Sequence, residues 1–349
     1  MKFLFCINDD RIDNLPATRQ VFRNFVIEGL LIEYKEYGYQ PRVKILGSIK
    51  KMEEELLQII IQYKPDLIHW NQINSKNNLS NAFIQKIKAY FPNIIITQET
   101  VDSFSKIPKA MLNLGRKIDL TLMNCQELVD EMNNKGCRNC LYFPEKSTET
   151  LFSKNNFEKT NEIVFIGNNN VSRNPLKYWE KVGPRYRTSL IKTMKNKFED
   201  SFKIYGRGWE NIINKTEGYL PFSEQERILK SSKLLFGCNI RNYYTFYFSN
   251  RLLNSMISGV PILYQYNPGL EKLFSDRIHL FYFDGIDDAV KLAKDLIVWP
   301  QYKLDEIGEN ARELVLSKHT ARKRYEYYIR LVWGLKLGNL NTVKPDFFL

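Results

Sequence analysis

The sequence lacks any apolar run close to the roughly 20 residues that a membrane-spanning helix requires. Its strongest run, residues 56–61, ends at Gln62. The opening stretch, MKFLFCINDDR, also has too short an apolar run for a secretory signal peptide, because Asp9 and Asp10 follow at once. These absences argue against a membrane-spanning or secreted protein and predict a cytoplasmic location.

Cysteine is scarce. The chain has five cysteines at irregular spacing, and an odd count argues against a disulfide framework. Cys137 and Cys140 form a C-x-x-C pair, but structural zinc normally requires further ligands. No second pair and no nearby histidine supplies them. We therefore expect reduced cysteines without a zinc or redox role.

Two ligand-binding motifs are also missing from the sequence. The glycines that follow the predicted strands do not form G-x-G-x-x-G, so a dinucleotide-binding fingerprint is unsupported. No Asp-x-Asp stands at a strand end, and "FDGIDD" (283–288) has the wrong spacing and leads into a helix. We therefore expect chemistry that needs no metal ion and no dinucleotide.

Size and charge give the first positive indications. A chain of 349 residues exceeds the length at which one core usually stops growing, so two domains are expected. Lys+Arg 51 against Asp+Glu 39 gives a net charge of +12. This excess favours an anionic partner: a nucleotide diphosphate, acidic lipid headgroups or nucleic acid. No nucleic-acid-binding motif supports the last.

Short β-branched or aromatic runs alternate with amphipathic helical stretches along the whole chain. Continuous apolar strands separated by helices predict parallel sheets covered on both faces. Strands are expected at 2–7, 42–46, 65–70, 93–98, 118–124, 139–143, 162–167, 202–206, 233–240, 260–266 and 278–283. Helices are expected at 18–37, 52–63, 81–90, 126–135, 187–198, 223–230, 249–258, 286–297, 305–316 and 325–335.

A polar stretch at residues 144–161 interrupts this alternation and predicts a linker between domains. We predict an α/β protein with two tandem Rossmann-like domains, each a doubly wound parallel sheet, at residues 1–150 and 151–318. Right-handed crossovers place the carboxyl ends of all strands along one edge of each sheet. We expect the ligand in a cleft between the two domains.

Two glycine-containing strand ends in the second half are candidate binding loops. In "FIGNNNVSR", Gly167 and Asn168 follow a strand and precede Arg173. A glycine there lets backbone amides approach an anion, and an arginine can bind phosphate oxygens in a fork. The alternative is a plain turn glycine and a solvated arginine.

In "KIYGRGW" (203–209), Gly206 and Arg207 repeat the pattern. Trp209 or Tyr205 could offer a ring face to a base, or Trp209 could anchor the core.

The stretch "YFSNRLLNSMISGVPILYQYNPGLEKLF" (247–274) predicts a helix, a strand and a second helix start at Gly269 and Glu271. Ser249 and Asn250 are good N-cap residues. Arg251 in the first turn opposes the helix dipole unless an anion binds there, as helix N-termini bind diphosphates.

Taken together in their order, "EIVFIGN", "FKIYGRGW" and "SNRLLNSMISGVPILYQYNPGLEKLF" resemble the C-terminal domain of GT-B fold glycosyltransferases. The resemblance is strongest to the group 1 superfamily and its spore-maturation-type branch. It covers about residues 160–300 and implies an N-terminal acceptor domain and a C-terminal nucleotide-sugar-binding domain. It also implies a helix and tail at 319–349 that pack back on the first domain.

By this resemblance, two groups of residues approach the donor diphosphate. Gly167, Asn168 and Arg173 belong to the first loop, and Ser249, Asn250 and Arg251 belong to the second.

The chain departs from the family at a Glu-x7-Glu motif, where Phe246 and Asn254 stand instead. Asn254 can hydrogen-bond a ribose hydroxyl or a sugar without a charge, and Glu271 is the nearby carboxylate that could contact ribose.

Candidate general bases follow strands of the first half: His69, Glu99 and Asp102, besides Asp9 and Asp10. A retaining enzyme would need none of them.

We predict a metal-independent glycosyltransferase that moves a sugar from a UDP-, GDP- or dTDP-sugar to a glycan, lipid-linked or protein acceptor. The alternative is a catalytically silent GT-B-like binding or scaffold protein. The basic run "KHTARKRYEYYIR" is either a solvated helix with tyrosines on the core or a peripheral membrane contact.

Overall fold

A computed structural model of the chain describes residues 1–7, 16–71, 79–100, 103–147, 157–169 and 182–349. The chain divides into two compact units. Unit 1 consists of Met1–Pro144 and Tyr325–Pro345, and unit 2 of Glu145–Arg324 and Asp346–Leu349.

Unit 1 contains a parallel sheet whose described strands run in the order β2-β1-β3-β4-β5-β6. Every residue of the central strand β3 is buried, because helices cover both faces of the sheet. The strands are β1 (Lys2–Ile7), β2 (Glu33–Gly38), β3 (Leu67–Asn71), β4 (Ile95–Glu99), β5 (Leu120–Met123) and β6 (Cys140–Tyr142).

The first six described helices belong to unit 1. They are α1 (Pro16–Ile27), α2 (Tyr39–Leu46), α3 (Ile49–Tyr63), α4 (Asn81–Tyr90), α5 (Lys109–Gly115) and α6 (Gln126–Asn134). Leu56 and Ile60 of α3 pack on Leu4 and Ile68 of the sheet, and all four side chains are fully buried. Apolar helix stripes on apolar strands thus form the core of unit 1.

The prediction for residues 18–46 is wrong in part. The first helix ends at Ile27, residues 33–38 form β2 in parallel register with β1, and the apolar run 42–46 lies in α2. Because β2 lies at the sheet edge and is partly exposed, its sequence EYKEYG lacks the apolar character of a buried strand. A short apolar run such as VKIL cannot be assigned to strand or helix by periodicity alone.

Unit 2 contains a second parallel sheet, with described strands in the order β11-β10-β9-β7-β8. Its strands are β7 (Asn161–Ile166), β8 (Phe202–Tyr205), β9 (Ser232–Gly237), β10 (Ile262–Gln265) and β11 (Phe281–Phe283). The flanking helices are α7 (Val182–Phe198), α8 (Gln225–Lys230), α9 (Asn250–Ile257), α10 (Ile286–Ile297) and α11 (Gln301–Lys318). The predicted α/β class with two parallel-sheet domains is confirmed.

Two helix starts in unit 2 differ from the prediction. The helix expected from residue 223 begins instead at Gln225, because a 3-10 turn (Phe222–Glu224) precedes α8 and the N-cap position is Glu224. The helix expected after Gly269 is one 3-10 turn, Leu270–Lys272. That turn is too short to present a helix dipole to an anion.

The last helix is α12 (Ala321–Leu337). Its tyrosines at 325, 327 and 328 are buried, and the Tyr325 ring lies 4.5 Å from that of Phe22. Arg330 and Lys336 face solvent. The tyrosines of the basic run thus pack inside unit 1, as one of the two alternatives predicted. Across the described part of the chain, none of the helices has the length and apolarity to cross a bilayer.

Candidate functional site

The candidate site lies at the carboxyl edge of the sheet of unit 2, where the chain leaves β7 and β8. Gly206 has φ +138°, and a Cβ there would collide with the carbonyl oxygen of Gly167. Only glycine permits this approach without strain. Trp209 adds a 2.6 Å hydrogen bond from its indole nitrogen to the same oxygen. The segments 167–169 and 206–208 therefore form one rigid ledge.

The backbone amides of this ledge are already used. The amide of Gly167 donates to the Tyr205 carbonyl at 2.8 Å, and that of Asn169 to the Arg207 carbonyl at 2.8 Å. The amide of Arg207 donates to Oδ1 of Asn168 at 2.9 Å. These three amides are therefore not available to an anion, because the two parallel strands continue their pairing beyond their ends.

Two guanidinium groups converge on the ledge. Nη1 of Arg251, from the first turn of α9, lies 2.6 Å from the place of a Cβ on Gly167. Nη2 of Arg187, from α7, donates to the carbonyl of Asn168. The Arg187 side chain is buried, and its Nε has no hydrogen-bond partner among the described residues.

The two cations have no compensating carboxylate in the part of the chain that the structure describes. Burial, together with the neighbouring charge of Arg251, lowers the pKa of Arg187 to about 10, so the Arg187 guanidinium stays charged at neutral pH. Among the described residues neither side chain forms an ion pair with a carboxylate: Arg251 contacts the Ser249 hydroxyl at 3.3 Å, and Arg187 contacts a carbonyl. Burying an unpaired charge is costly. The arrangement can therefore bind an anion strongly.

The start of α9 supplies further polar groups. Ser249 holds the N-cap position in an extended conformation, but its side chain makes no capping hydrogen bond. Asn250 is exposed at the first helical position. Asn254, buried on the next turn, lines a narrow cavity of about 30 Å³ beside Arg251, which accommodates water rather than a sugar.

The predicted residues after β10 lie farther along the edge. Gly269 has φ +83°, and the Phe246 ring packs in the space that a Cβ on Gly269 would occupy. Glu271 is exposed and accepts a 3.0 Å hydrogen bond from the Tyr266 hydroxyl. Since β9 separates β10 from β7, these groups lie about two strand spacings, or ~10 Å, from the ledge.

The predicted bases His69 and Glu99 belong to a buried cluster in unit 1. Nδ1 of His69 lies 2.7 Å from the Thr97 hydroxyl, which lies 2.6 Å from that of Tyr328. Nε2 of His69 is 3.7 Å from Glu99, which accepts a hydrogen bond from Asn71. Both predicted bases are almost fully buried. The other predicted residues, Arg173 and Asp102, together with Asp9 and Asp10, lie outside the described residues.

Sequence reasoning missed Arg187, and it left two alternatives open for Trp209, of which the core anchor is confirmed. Trp209 is fully buried in the core of unit 2, and Tyr205 is 9% exposed, so neither offers a free ring face. The exposed ring beside the ledge is that of Tyr219, under the guanidinium of Arg207 at 4.3 Å. In the sequence, the local feature that could have indicated Tyr219 is the dipeptide Gly218–Tyr219, which precedes the helix expected at 223–230.

The described residues contain no candidate metal site and no disulfide. No group of three or more His, Cys, Asp or Glu side chains there could hold a metal ion. All five cysteines are buried and free, as expected from their number and spacing.

Comparison with known proteins bears on the same region. A family model described as "Glycosyl transferase-like" matches residues 186–330, which include Arg187, Arg207 and the whole of α9. A search of curated protein sequences finds no significant match.

Solved structures match over nearly the whole chain. HepE of Anabaena in complex with UDP has a TM-score of 0.61 at 13% identity, covering 96% of this chain and 100% of HepE. Sucrose-phosphate synthase of Thermosynechococcus elongatus has a TM-score of 0.63 at 12% identity, covering 96% and 100%. A glycosyltransferase of Rickettsia africae has a TM-score of 0.63 at 11% identity, covering 97% and 99%.

At sequence identities this low, the structural similarity establishes the fold alone. Together with the family model, it confirms the resemblance to GT-B fold glycosyltransferases that the second-half motifs indicated. The spore-maturation-type branch stays a prediction.

Proposed function

We propose that this protein is a glycosyltransferase that moves a sugar from a nucleotide-diphosphate sugar to a glycan, lipid-linked or protein acceptor without a metal ion. The observation that carries the proposal is the convergence of Arg187 and Arg251 on the Gly167 ledge with no carboxylate partner among the described residues. HepE, of similar fold, binds UDP and UDP-glucose. Unit 2 is thus the proposed donor-binding unit.

The chemistry assigned to these residues is stabilisation of the leaving group. The bond between the anomeric carbon and the diphosphate oxygen breaks, and its electron pair goes to the diphosphate. An acceptor hydroxyl forms the new bond to the anomeric carbon and loses its proton. The guanidinium groups of Arg251 and Arg187, held by Ser249 and Asn168, bind the developing negative charge through charge-assisted hydrogen bonds. In this role they replace a metal ion.

Three residues remain proposals for the proton acceptor: His69, Glu99 and Asp102. Glu99 is favoured because it ends β4 at the carboxyl edge of unit 1, whereas the ring of His69 stacks on Phe5 in the interior. A base must reach the acceptor hydroxyl within hydrogen-bonding distance. We assign acceptor binding to unit 1 on the same grounds.

A catalytically silent nucleotide-sugar-binding protein is the second candidate, and a specific observation favours it. At the two positions where many group 1 enzymes carry glutamate, this chain has Phe246, packed against Gly269 and the Phe348 ring, and Asn254, which lies in a cavity wall. Neither side chain carries a charge.

The test is calorimetry with UDP, GDP and dTDP and their glucose conjugates, followed by hydrolysis and transfer assays in EDTA. We expect nucleoside diphosphates to bind, and Arg251→Ala to weaken their binding by about 1.5–3 kcal/mol, the range for hydrogen bonds to charged groups. Arg277→Ala removes an exposed arginine elsewhere in unit 2 and should leave the affinity unchanged.

Each outcome separates the candidates. Turnover in EDTA supports the transferase, whereas binding without hydrolysis or transfer to any acceptor supports the silent protein. If no nucleotide binds, or if Arg251→Ala binds as well as the wild type, the proposed donor site is wrong.

A further inference from the structure

The Tyr219 ring is exposed to an unusual degree for a residue in a fixed backbone segment. Its side chain is 58% exposed. The preceding residue Gly218 pairs with Tyr205 of β8, and its carbonyl accepts a 2.7 Å hydrogen bond from the amide of Gly206. The ring is therefore presented to solvent from a rigid position beyond the edge strand.

Arg207 joins this ring to the ledge. Its guanidinium lies 4.3 Å from the centre of the Tyr219 ring, while its amide and carbonyl are hydrogen-bonded to Asn168 and Asn169. A planar cation on an aromatic face orders both groups. The stacked pair of Arg207 and Tyr219 thus lies directly beside the segment on which Arg187 and Arg251 converge.

Other exposed tyrosines of this edge already have partners. Tyr266 donates to Glu271 and packs edge-on against Tyr282 at 5.4 Å. Tyr243 accepts a hydrogen bond from Arg241 and packs against Tyr244 at 4.8 Å. Both follow β9 or β10, on the opposite side of β7 from Tyr219. The β8 side of the ledge therefore presents the exposed aromatic ring of Tyr219, whereas the tyrosines on the β9–β10 side are hydrogen-bonded to other side chains.

We infer that Tyr219, with Arg207, is the stacking surface for the nucleobase of the donor, so that the nucleoside lies on the β8 side of the diphosphate and the sugar on the β9–β10 side. This inference rests on the proposed function and adds the orientation of the nucleotide to it. Stacking on an aromatic ring is tolerant of base identity. Tyr219 should therefore strengthen binding of a nucleoside diphosphate and leave binding of pyrophosphate unchanged.

The experiment is calorimetry of UDP, GDP and pyrophosphate with the wild type, Tyr219→Ala, Tyr219→Phe and Arg251→Ala. Loss of one stacked base corresponds to a roughly 5- to 100-fold loss of affinity. We expect this loss for both nucleotides in Tyr219→Ala and near-wild-type affinity in Tyr219→Phe, because the ring and not the hydroxyl is used. Arg251→Ala should weaken all three ligands.

Three further variants complete the experiment. Tyr302→Ala removes a tyrosine of unit 2 that is 68% exposed and should bind like the wild type. Tyr266→Ala tests the opposite orientation, in which the base lies on the β10 side. Tyr219→Trp provides an independent signal, since a stacked base should quench its fluorescence on addition of UDP.

The inference is overturned if nucleotides bind, Arg251→Ala weakens them, and Tyr219→Ala does not, or if Tyr266→Ala shows the loss instead. It is also overturned if UDP binds without quenching Tyr219→Trp. If the wild type binds no nucleotide at all, the proposed function fails first and this inference fails with it.

Discussion

The two units place their polar side chains in opposite situations. In unit 1, His69, Thr97 and Tyr328 are fully buried and form a continuous chain of hydrogen bonds. In unit 2, Arg187 and Arg251 meet on the Gly167 ledge with like charges and no carboxylate partner among the described residues. The side chains of the first group bond one another, whereas the two cations of the second have no counter-charge among the described residues.

This difference distinguishes polar groups that support the fold from polar groups that can bind a ligand. A buried polar group with partners adds specificity and rigidity to a core. A buried cation without an anion costs stability, a cost that proteins accept where a ligand supplies the missing charge. Substitutions in the unit 1 cluster should therefore change stability and not nucleotide affinity, and those at the ledge should do the reverse.

The largest expected effect comes from Thr97→Val. Valine keeps the shape of threonine but leaves His69 Nδ1 and the Tyr328 hydroxyl without their shared partner. Each unsatisfied buried group costs about 1–3 kcal/mol, so the free energy of unfolding should fall by roughly 2–4 kcal/mol. Urea denaturation measures it, and UDP affinity should not change.

Thr342→Val is the matched control, because the Thr342 hydroxyl is exposed and bonds only a nearby carbonyl. We expect a change within about 0.5 kcal/mol. A loss in Thr97→Val no larger than this, or a loss of UDP affinity, would show that the cluster is not the structural element described above.

Arg187→Met gives the opposite pattern. Methionine retains much of the apolar stem while removing a buried charge that no described carboxylate balances. We expect nucleotide affinity to fall by about 1.5–3 kcal/mol, with the unfolding free energy of the ligand-free protein reduced by no more than about 1 kcal/mol. Calorimetry and urea denaturation of the same samples test both. A large stability loss with unchanged affinity would mean that Arg187 only supports the ledge.

Much of this fold can be predicted from local patterns. Strands such as LIHWN and NEIVFI each contain an apolar run (LI and IVFI) between helices, and the structure confirms them. The position of Arg251 could also be predicted, because the N-cap at Ser249 and the start of α9 are close in sequence. The edge strand β2 could not, since its partly exposed sequence carries no buried-strand signal.

The site itself depends on contacts between residues remote in sequence. Arg187 reaches Asn168, and Arg207 reaches Tyr219, only through the pairing of β7, β8 and the segment around Gly218. For the same reason sequence reasoning could not show that the Gly167 amide is bound to Tyr205. Glycines at strand ends marked two candidate binding loops, which the structure brings together at Gly167 and Gly206, but the side chains that converge on them are brought there by tertiary structure.

The smallest expected effect concerns pH and extends the comparison to the interior of unit 2. His319 is fully buried, with Nδ1 3.1 Å from Nη2 of Arg324. Burial above all, and then the charges of Arg324, Lys318 and His279, lower its pKa well below the usual 6.5. Histidine in the unfolded chain keeps its ordinary pKa, so below that pH the unfolded state binds a proton that the folded state does not.

Folding stability should therefore fall as pH decreases through about 6.5, at up to ~1.4 kcal/mol per pH unit from this group alone. His319→Gln keeps an acceptor for Arg324 without the titration, so the wild type minus variant difference in unfolding free energy isolates the histidine from the carboxylates. We expect this difference to grow more negative from neutral pH to pH ~5, with UDP affinity the same in both proteins. If the unfolding free energies of the wild type and His319→Gln change in parallel with pH, His319 takes up its proton in the folded protein as readily as in the unfolded chain. This buried group would then resemble the charged arginines of the ledge more than the uncharged hydrogen-bonded cluster of unit 1.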